Sequence, residues 1–423
     1  MEIIKKIKVL KRKVLIEITE DYRTYFHEDF WMSSNEIDFR NIPEEILMIP
    51  LLLNIAPIIW ACDLKVTIPG IDTTVRHSLI RLKQAFKNQY PEIKWSGSIN
   101  SQGFESKIPS KTSKDGVVLL YSGGIDSLNL SQDYLDKQQY LLTIRGSDIK
   151  LSDDRLYKTL KLNFQNYAKS IRAISIFMVS NFKNFINYEF LSKSFPSIPN
   201  WWGEIQHGIG LAGFLVIPGY FYSVKTALMA TDFSGEEMIN MRWASTRLIM
   251  SSLRLPFSHF SHEGYHLSRQ DKIKKISEKY RKIKNITSVR SCYSAQSEIN
   301  CGRCNKCMLT MMGFIAAGID YRHFGFSEPK TEFIRNAKKL FSINHFFDFP
   351  MWNGVQKQIV SREEYVRLGL DDEFIDMLMW FKKIDLVKKY RRSQRLFNFS
   401  RLILYFIRKI PYSDILIKKI KSR

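Results

Sequence analysis

The spacing of apolar and polar positions divides the chain. Up to residue 114 the pattern is mixed. Val14–Ile18 and Leu64–Ile68 read as strands, Glu44–Ala61 as an apolar helix, and Val75, Leu79, Leu82 and Phe86 recur at helical spacing. A polar stretch, 107–116, reads as a linker. From Val117 short apolar runs alternate with amphipathic segments. Val117–Tyr121, Tyr140–Ile144, Ile171–Val179 and Phe221–Met229 read as buried parallel strands with helices between them. That alternation predicts an α/β fold with a doubly wound parallel sheet, which binds ligands beyond the carboxyl ends of its strands. Past residue 330 the pattern is helical and increasingly basic. Three blocks are therefore expected: an α+β block over 1–115, a site-bearing block over 116–330, and a helical basic extension over 331–423.

Composition narrows the class. With 45% hydrophobic and 25% charged residues, the 423-residue chain is neither disordered nor fibrous. Its net charge of +22 is uneven: residues 381–423 hold fourteen Lys/Arg against Asp385 and Asp414. An acidic partner is expected: nucleic acid, anionic lipid or an acidic protein face. A membrane span is not. Ile46–Ala61 is interrupted by Pro50, Asn54 and Pro57, and Leu211–Ala230 by Pro218, Tyr222 and Lys225. The first residues lack the pattern of a signal peptide. Four of the five cysteines fall between 292 and 307, which suggests metal binding in a cytoplasmic protein rather than a disulfide framework.

Two motifs carry chemistry. The first is Ser122-Gly123-Gly124-Ile125-Asp126-Ser127, placed between the strand ending at Leu120 and the helix Leu128–Leu135. Two glycines permit a tight turn that aims backbone N–H groups at an anion, the serines add hydroxyls, and the new helix presents its positive end. Asp126 could hold Mg²⁺ against phosphates. No Walker loop occurs. Gly208-x-Gly210-x-x-Gly213 satisfies a dinucleotide fingerprint as a string, but Trp201–His207 before it does not read as a buried strand, so close helix packing explains it better. The second motif is Cys292-x8-Cys301-x2-Cys304-x2-Cys307, in which Gly302 permits a tight knuckle and four thiolates make a closed structural Zn²⁺ site. An iron–sulfur cluster is the chemical rival.

The first motif resembles the pyrophosphate loop S-G-G-x-D-S of the N-type ATP pyrophosphatases, which split ATP between its α and β phosphates. Both motifs together, about 165 residues apart, resemble the 7-cyano-7-deazaguanine synthase family of the queuosine pathway. Ser291-Cys292-Tyr293 and Cys301-Gly302-Arg303-Cys304-Asn305-Lys306-Cys307, followed by an apolar helix, are similar to that family's zinc segment. Asp232-Phe233-Ser234-Gly235 matches its D-F-S-G loop, and Asp271-Lys272 its D-K or T-K element. The resemblance covers about residues 116–325.

The resemblance implies an adenine nucleotide alpha hydrolase-like fold and an enzyme that adenylates the carboxylate of a deazaguanine with ATP and Mg²⁺. It implies that Ser122, Gly123, Gly124, Asp126 and Ser127 bind ATP or pyrophosphate. It further implies that Asp126 and Lys272 are catalytic, that Asp232, Phe233, Ser234 and Gly235 lie by the deazapurine, and that Cys292, Cys301, Cys304 and Cys307 hold zinc. The chain also departs from the family. Family members are about half as long. Arg145-Gly146-Ser147 stands where they have Y-G-Q-R-H, Pro199-Asn200-Trp201-Trp202 replaces P-G-R-N, and Glu236-Glu237-Met238 follows the D-F-S-G loop. Long divergent relatives look like those of bacterial antiphage operons, which implies transfer of the acyl group to an amine of a partner protein. Retained nitrile formation with ammonia, modification of a tRNA or DNA base, and a non-catalytic nucleotide-binding subunit are the alternatives.

His259, His262 and His266 lie close together but do not read as a second metal site, because His262-Glu263-Gly264 and Ser268-Arg269 read as loop and cap positions before the Lys272 helix. His207 could line the pocket, and Trp201, Trp202 and Trp243 could stack on a base, though core packing suits all four better. Lys388–Arg392 with Leu396, Phe399, Ile403 and Phe406 behind them read as a basic amphipathic helix. It would meet the protein's own core or an acidic protein face, nucleic acid, or an anionic membrane.

Overall fold

The computed structural model describes residues 1–101, 114–234, 242–256, 259–283, 288–292, 299–342, 349–393 and 395. It divides into two compact units, Met1–Asn300 and Cys301–Arg423.

The first unit is built on one eight-stranded sheet. Its parallel part comprises β6 (Lys114–Leu120), β7 (Gln138–Arg145), β8 (Ile174–Ser180), β9 (Val224–Ala230) and β10 (His259–Glu263), in the order β8-β7-β6-β9-β10. The order reverses between β6 and β9, the first and fourth of the parallel set. That reversal is the switch point at which doubly wound sheets open a crevice beyond their strand ends. Apolar residues fill the central strands, as burial on both faces requires; Val118, Leu142, Ile176 and Leu228 are fully buried.

The sheet is not wholly parallel, and the expected boundary near residue 115 is not a division of the structure. The chain's first strands, β1 (Ile4–Leu10), β2 (Lys13–Ile18) and β3 (Phe30–Ser34), extend the same sheet antiparallel, with β3 registered on β8 through Met32 opposite Ser180. β4 (Lys65–Ile68) and β5 (Ser98–Ser101) form a separate parallel pair. Between β3 and β4 lies the expected apolar helix, split at Met48 into Glu44–Leu47 and Ile49–Ala61. Residues 49–60 are all buried, and a helix apolar on every side must be enclosed by its neighbours. Asn54, its one polar residue, donates to the carbonyl of Gly210 at 3.2 Å. A single apolar cluster accordingly runs from Ile3 to Phe260. The Gly208–Gly213 string lies in helix His207–Ala212 and the turn after it, where an added Cβ on Gly210 would sit 2.4 Å from Asn54 Oδ1. Close packing, not a nucleotide, explains those glycines.

The second unit is helical where it is described, and it begins at Cys301 rather than near 330. Helix Asn305–Ala316 is its buried centre. Aromatic residues pack there: Phe314 stacks on Phe324 with ring centres 3.8 Å apart, and Tyr365 donates to the carbonyl of Ala316 at 2.8 Å. Tyr390, at the start of the basic tail, stacks on Phe349 at 5.0 Å. The tail beyond residue 395 lies outside the described residues. Among the described residues no helix is long and apolar enough to cross a membrane.

Candidate functional site

The loop after β6 turns at Gly123, whose φ of +72° is left-handed and whose added Cβ would lie 2.3 Å from Phe164. Only glycine meets both conditions. Its carbonyl accepts from the Arg290 amide at 2.8 Å, which pins the turn from outside. Gly124 is the N-cap of helix Ile125–Asp133, so the first amides of that helix face the switch point. Ser127 Oγ donates to the Gly124 carbonyl at 3.2 Å and lies 3.3 Å from Ser122 Oγ; Ser122 itself is exposed.

Asp126, in the first turn of that helix, is the centre of the site. Lys272 Nζ lies 2.8 Å from its Oδ1, and Arg269 Nη1 lies 3.2 Å from its Oδ2. The two cations are almost wholly buried, with 2% and 6% of their side chains exposed, against 17% for Asp126. Lys272 also donates to the carbonyl of Thr231 at 2.7 Å. Thr231 follows β9 and opens the Asp232-Phe233-Ser234 loop, which its hydroxyl braces by donating to the Phe233 carbonyl at 2.8 Å. One ammonium thus joins the two loops that leave the strands flanking the switch point. Gly235 lies outside the described residues.

The structure also brings in a residue that the sequence places only at a helix entrance. Arg269 and Lys272 are three positions apart in helix Arg269–Ile283, so they share one face. That spacing is the available signal, and only the fold shows that the face meets Asp126. Asp271 serves the helix itself: its carboxylate accepts from the Ser268 amide at 2.9 Å while its own amide donates to Ser268 Oγ at 3.2 Å, a reciprocal cap.

The histidines are not all in a loop. His259 and His262 lie on β10, and only His266 follows it. Among the described residues they form no group able to hold a metal. His262 Nδ1 is bonded to the Tyr265 hydroxyl. Burial, opposed by the Ala230 carbonyl and aided by Lys272 and His207, pushes its pKa down to about 3. A histidine depressed below its unfolded value binds protons more readily in the unfolded chain, so stability is full above about pH 6.5 and falls as the pH drops towards 3. We expect His262→Leu to flatten denaturant midpoints between pH 6.5 and 4; an unchanged slope there would assign the acid sensitivity to another group.

The four cysteines meet as their spacing suggested. One sulfur from each of Cys292, Cys301, Cys304 and Cys307 lies within 4.8 Å of the other three, and Cys301 and Cys307 are 4.0 Å apart. A tetrahedral zinc with bonds of about 2.3 Å sets its sulfurs about 3.8 Å apart, so the cluster is close to that size. Gly302 turns the knuckle at φ +67°, and an added Cβ would meet Glu328 at 2.6 Å. Cys304 caps helix Asn305–Ala316, and its amide donates to Cys301 Sγ at 3.3 Å. Such N–H···S contacts favour thiolates. Asn300, which sequence reading did not single out, orders the segment before Cys292: its Oδ1 accepts from the Ser291 amide at 2.7 Å and its Nδ2 donates to the Val289 carbonyl at 2.7 Å. These sulfurs can hold a structural metal ion such as zinc.

A chain of ring contacts runs from Trp202 through His207 and Trp243 to Phe233. His207 packs edge-on against Trp202 at 5.3 Å and lies 6.2 Å from Trp243, while Phe233 is 6.5 Å from Trp243. Lys183 Nζ sits 4.5 Å above Trp202. Comparison with family models, curated proteins and solved structures returns no match for this chain.

Proposed function

We propose that the protein is an ATP-dependent ligase that adenylates the carboxylate of a 7-deazaguanine and passes the acyl group to an amine, on a partner protein. The observation that carries this reading is the anchoring of Asp126 by Lys272 and Arg269 at a glycine loop on the switch point. A carboxylate oxygen would attack the α phosphorus of ATP as pyrophosphate leaves. An amine nitrogen would then attack the acyl carbon, lose a proton and release AMP. Both steps build negative charge on phosphate oxygens. Backbone donors at a helix start and two buried cations suit that need, because preorganised charge in a dry site stabilises a transition state without reorientation. Asp126 would be the residue to hold Mg²⁺, whose charge would offset that of the phosphates.

The Phe233 ring in the loop that follows β9, with Trp243 edge-on to it at 6.5 Å, would supply flat apolar surface for a heterocycle. The decisive assay is AMP release from ATP with 7-carboxy-7-deazaguanine, using hydroxylamine as a small acceptor and detecting the hydroxamate. AMP formation dependent on the deazaguanine is the expected result. Its absence with zinc-loaded protein over a range of Mg²⁺ would overturn the reading.

A further inference from the structure

β10 ends the sheet: it pairs with β9 alone, and among the described residues no strand lies on its other side. A cleft of about 1020 Å³ follows it, lined by every residue from His259 to Glu263 and by Gly264. Successive strand residues point to opposite faces, so a cleft touching all five runs along the edge, where main-chain N–H and C=O groups are displayed. Its far wall is the segment Thr246–Arg254. Arg247 and Arg254 are exposed there and make no ion pair among the described residues, and His259 and His266 are exposed at the two ends of the lining. The one carboxylate of the lining, Glu263, accepts from the Tyr134 hydroxyl at 2.9 Å. That bond leaves the Glu263 charge in place, but two guanidinium groups against one carboxylate make the cleft net cationic. It also leads to the site: Gly264 packs on Lys272, close enough that an added Cβ would lie 3.4 Å from Lys272 Cε.

We propose that an extended, acidic segment of a partner protein adds as a strand to the free edge of β10. Backbone hydrogen bonds to the edge would supply affinity, and Arg247 and Arg254 would select acidic side chains. This deepens the ligase reading, on which it rests for its purpose: a strand laid along β10 ends beside Lys272, where an amine acceptor is needed. Lysines on the opposite edge strand, β1, make that edge unattractive to pairing, whereas His259–Glu263 carries no lysine.

The test is fluorescence anisotropy of the full chain with three labelled seven-residue peptides: alternating Val and Glu, the same peptide N-methylated at alternate residues, and alternating Val and Lys. We expect the acidic peptide to bind at least about tenfold more tightly than either control, and R247E/R254E to lose that preference. Equal binding of the N-methylated peptide, unchanged binding by R247E/R254E, or no binding at millimolar peptide would each overturn the proposal. Hydroxamate formation by the wild-type protein separates the outcomes. If it occurs without strand binding, the ligase reading stands and the docking fails; strand binding without hydroxamate leaves the docking and removes the ligase reading.

Discussion

Lys272→Met should lower AMP formation by at least about 100-fold, the scale of losing one charge-stabilising donor, and leave a folded protein. Asp126→Asn should chiefly unfold it. The asymmetry follows from which charge is stranded. Lys272→Met leaves Asp126 with Arg269 and about one-sixth of its own surface in water, so its charge keeps a partner. The Thr231 carbonyl loses its donor, at a cost of about 1–3 kcal/mol. Asp126→Asn instead leaves two buried cations facing a neutral amide. Breaking a buried pair by removing one partner costs about 3–5 kcal/mol, and here both cations are nearly inaccessible to solvent. Denaturant midpoints beside AMP release from the same preparations decide the matter. Equal destabilisation by the two changes would mean that the triad is not dry, and full activity in Lys272→Met would remove the lysine from the chemistry.

The second large effect should come from the cysteines. Purified protein is expected to carry one zinc per chain, and Cys307→Ser to lose it together with about 10 °C or more of melting temperature. Structural zinc couples its binding energy to folding, and a loss of some 3 kcal/mol moves the midpoint by about that much in a domain of this size. Cys307 is buried in the first turn of the helix at the centre of the second unit, so its ligation would fix how that helix starts. Elemental analysis with calorimetry, before and after chelation, is the measurement. Iron with visible absorbance would replace zinc by a cluster, and no metal at full stability would refute the assignment. His262→Leu, by contrast, should act only on acid sensitivity.

Much of this molecule was legible in residue types at short range. β2, β4 and the four central parallel strands fall within a few residues of their expected places, because short apolar runs beside amphipathic helices have few other ways to be buried. The glycine loop was recognisable between strand and helix, and the cysteine spacing was recognisable because sulfur ligands must converge within a few residues. The helix bearing Lys272 was also expected, along with its cap.

Other features depend on which distant segments share a core. Nothing local shows that β1–β3 join the sheet, since a hairpin rich in lysine reads as surface until Met32 is registered against Ser180. The absence of a division near 115 has the same origin: the helix at 49–61, apolar but for Asn54, must be enclosed, and helix His207–Ala212 is among the elements that pack on it. Arg269 became part of the site for this reason too. Its charge and its spacing from Lys272 were plain, but a carboxylate 143 residues earlier had to be carried to that face. Likewise β10, a strand with two histidines and a glutamate, gains its identity from pairing with β9. Turns, caps and metal knuckles follow from steric and hydrogen-bonding preferences a few residues wide. Sheet edges, switch points and buried ion triads follow from burial of apolar surface, which is indifferent to separation along the chain.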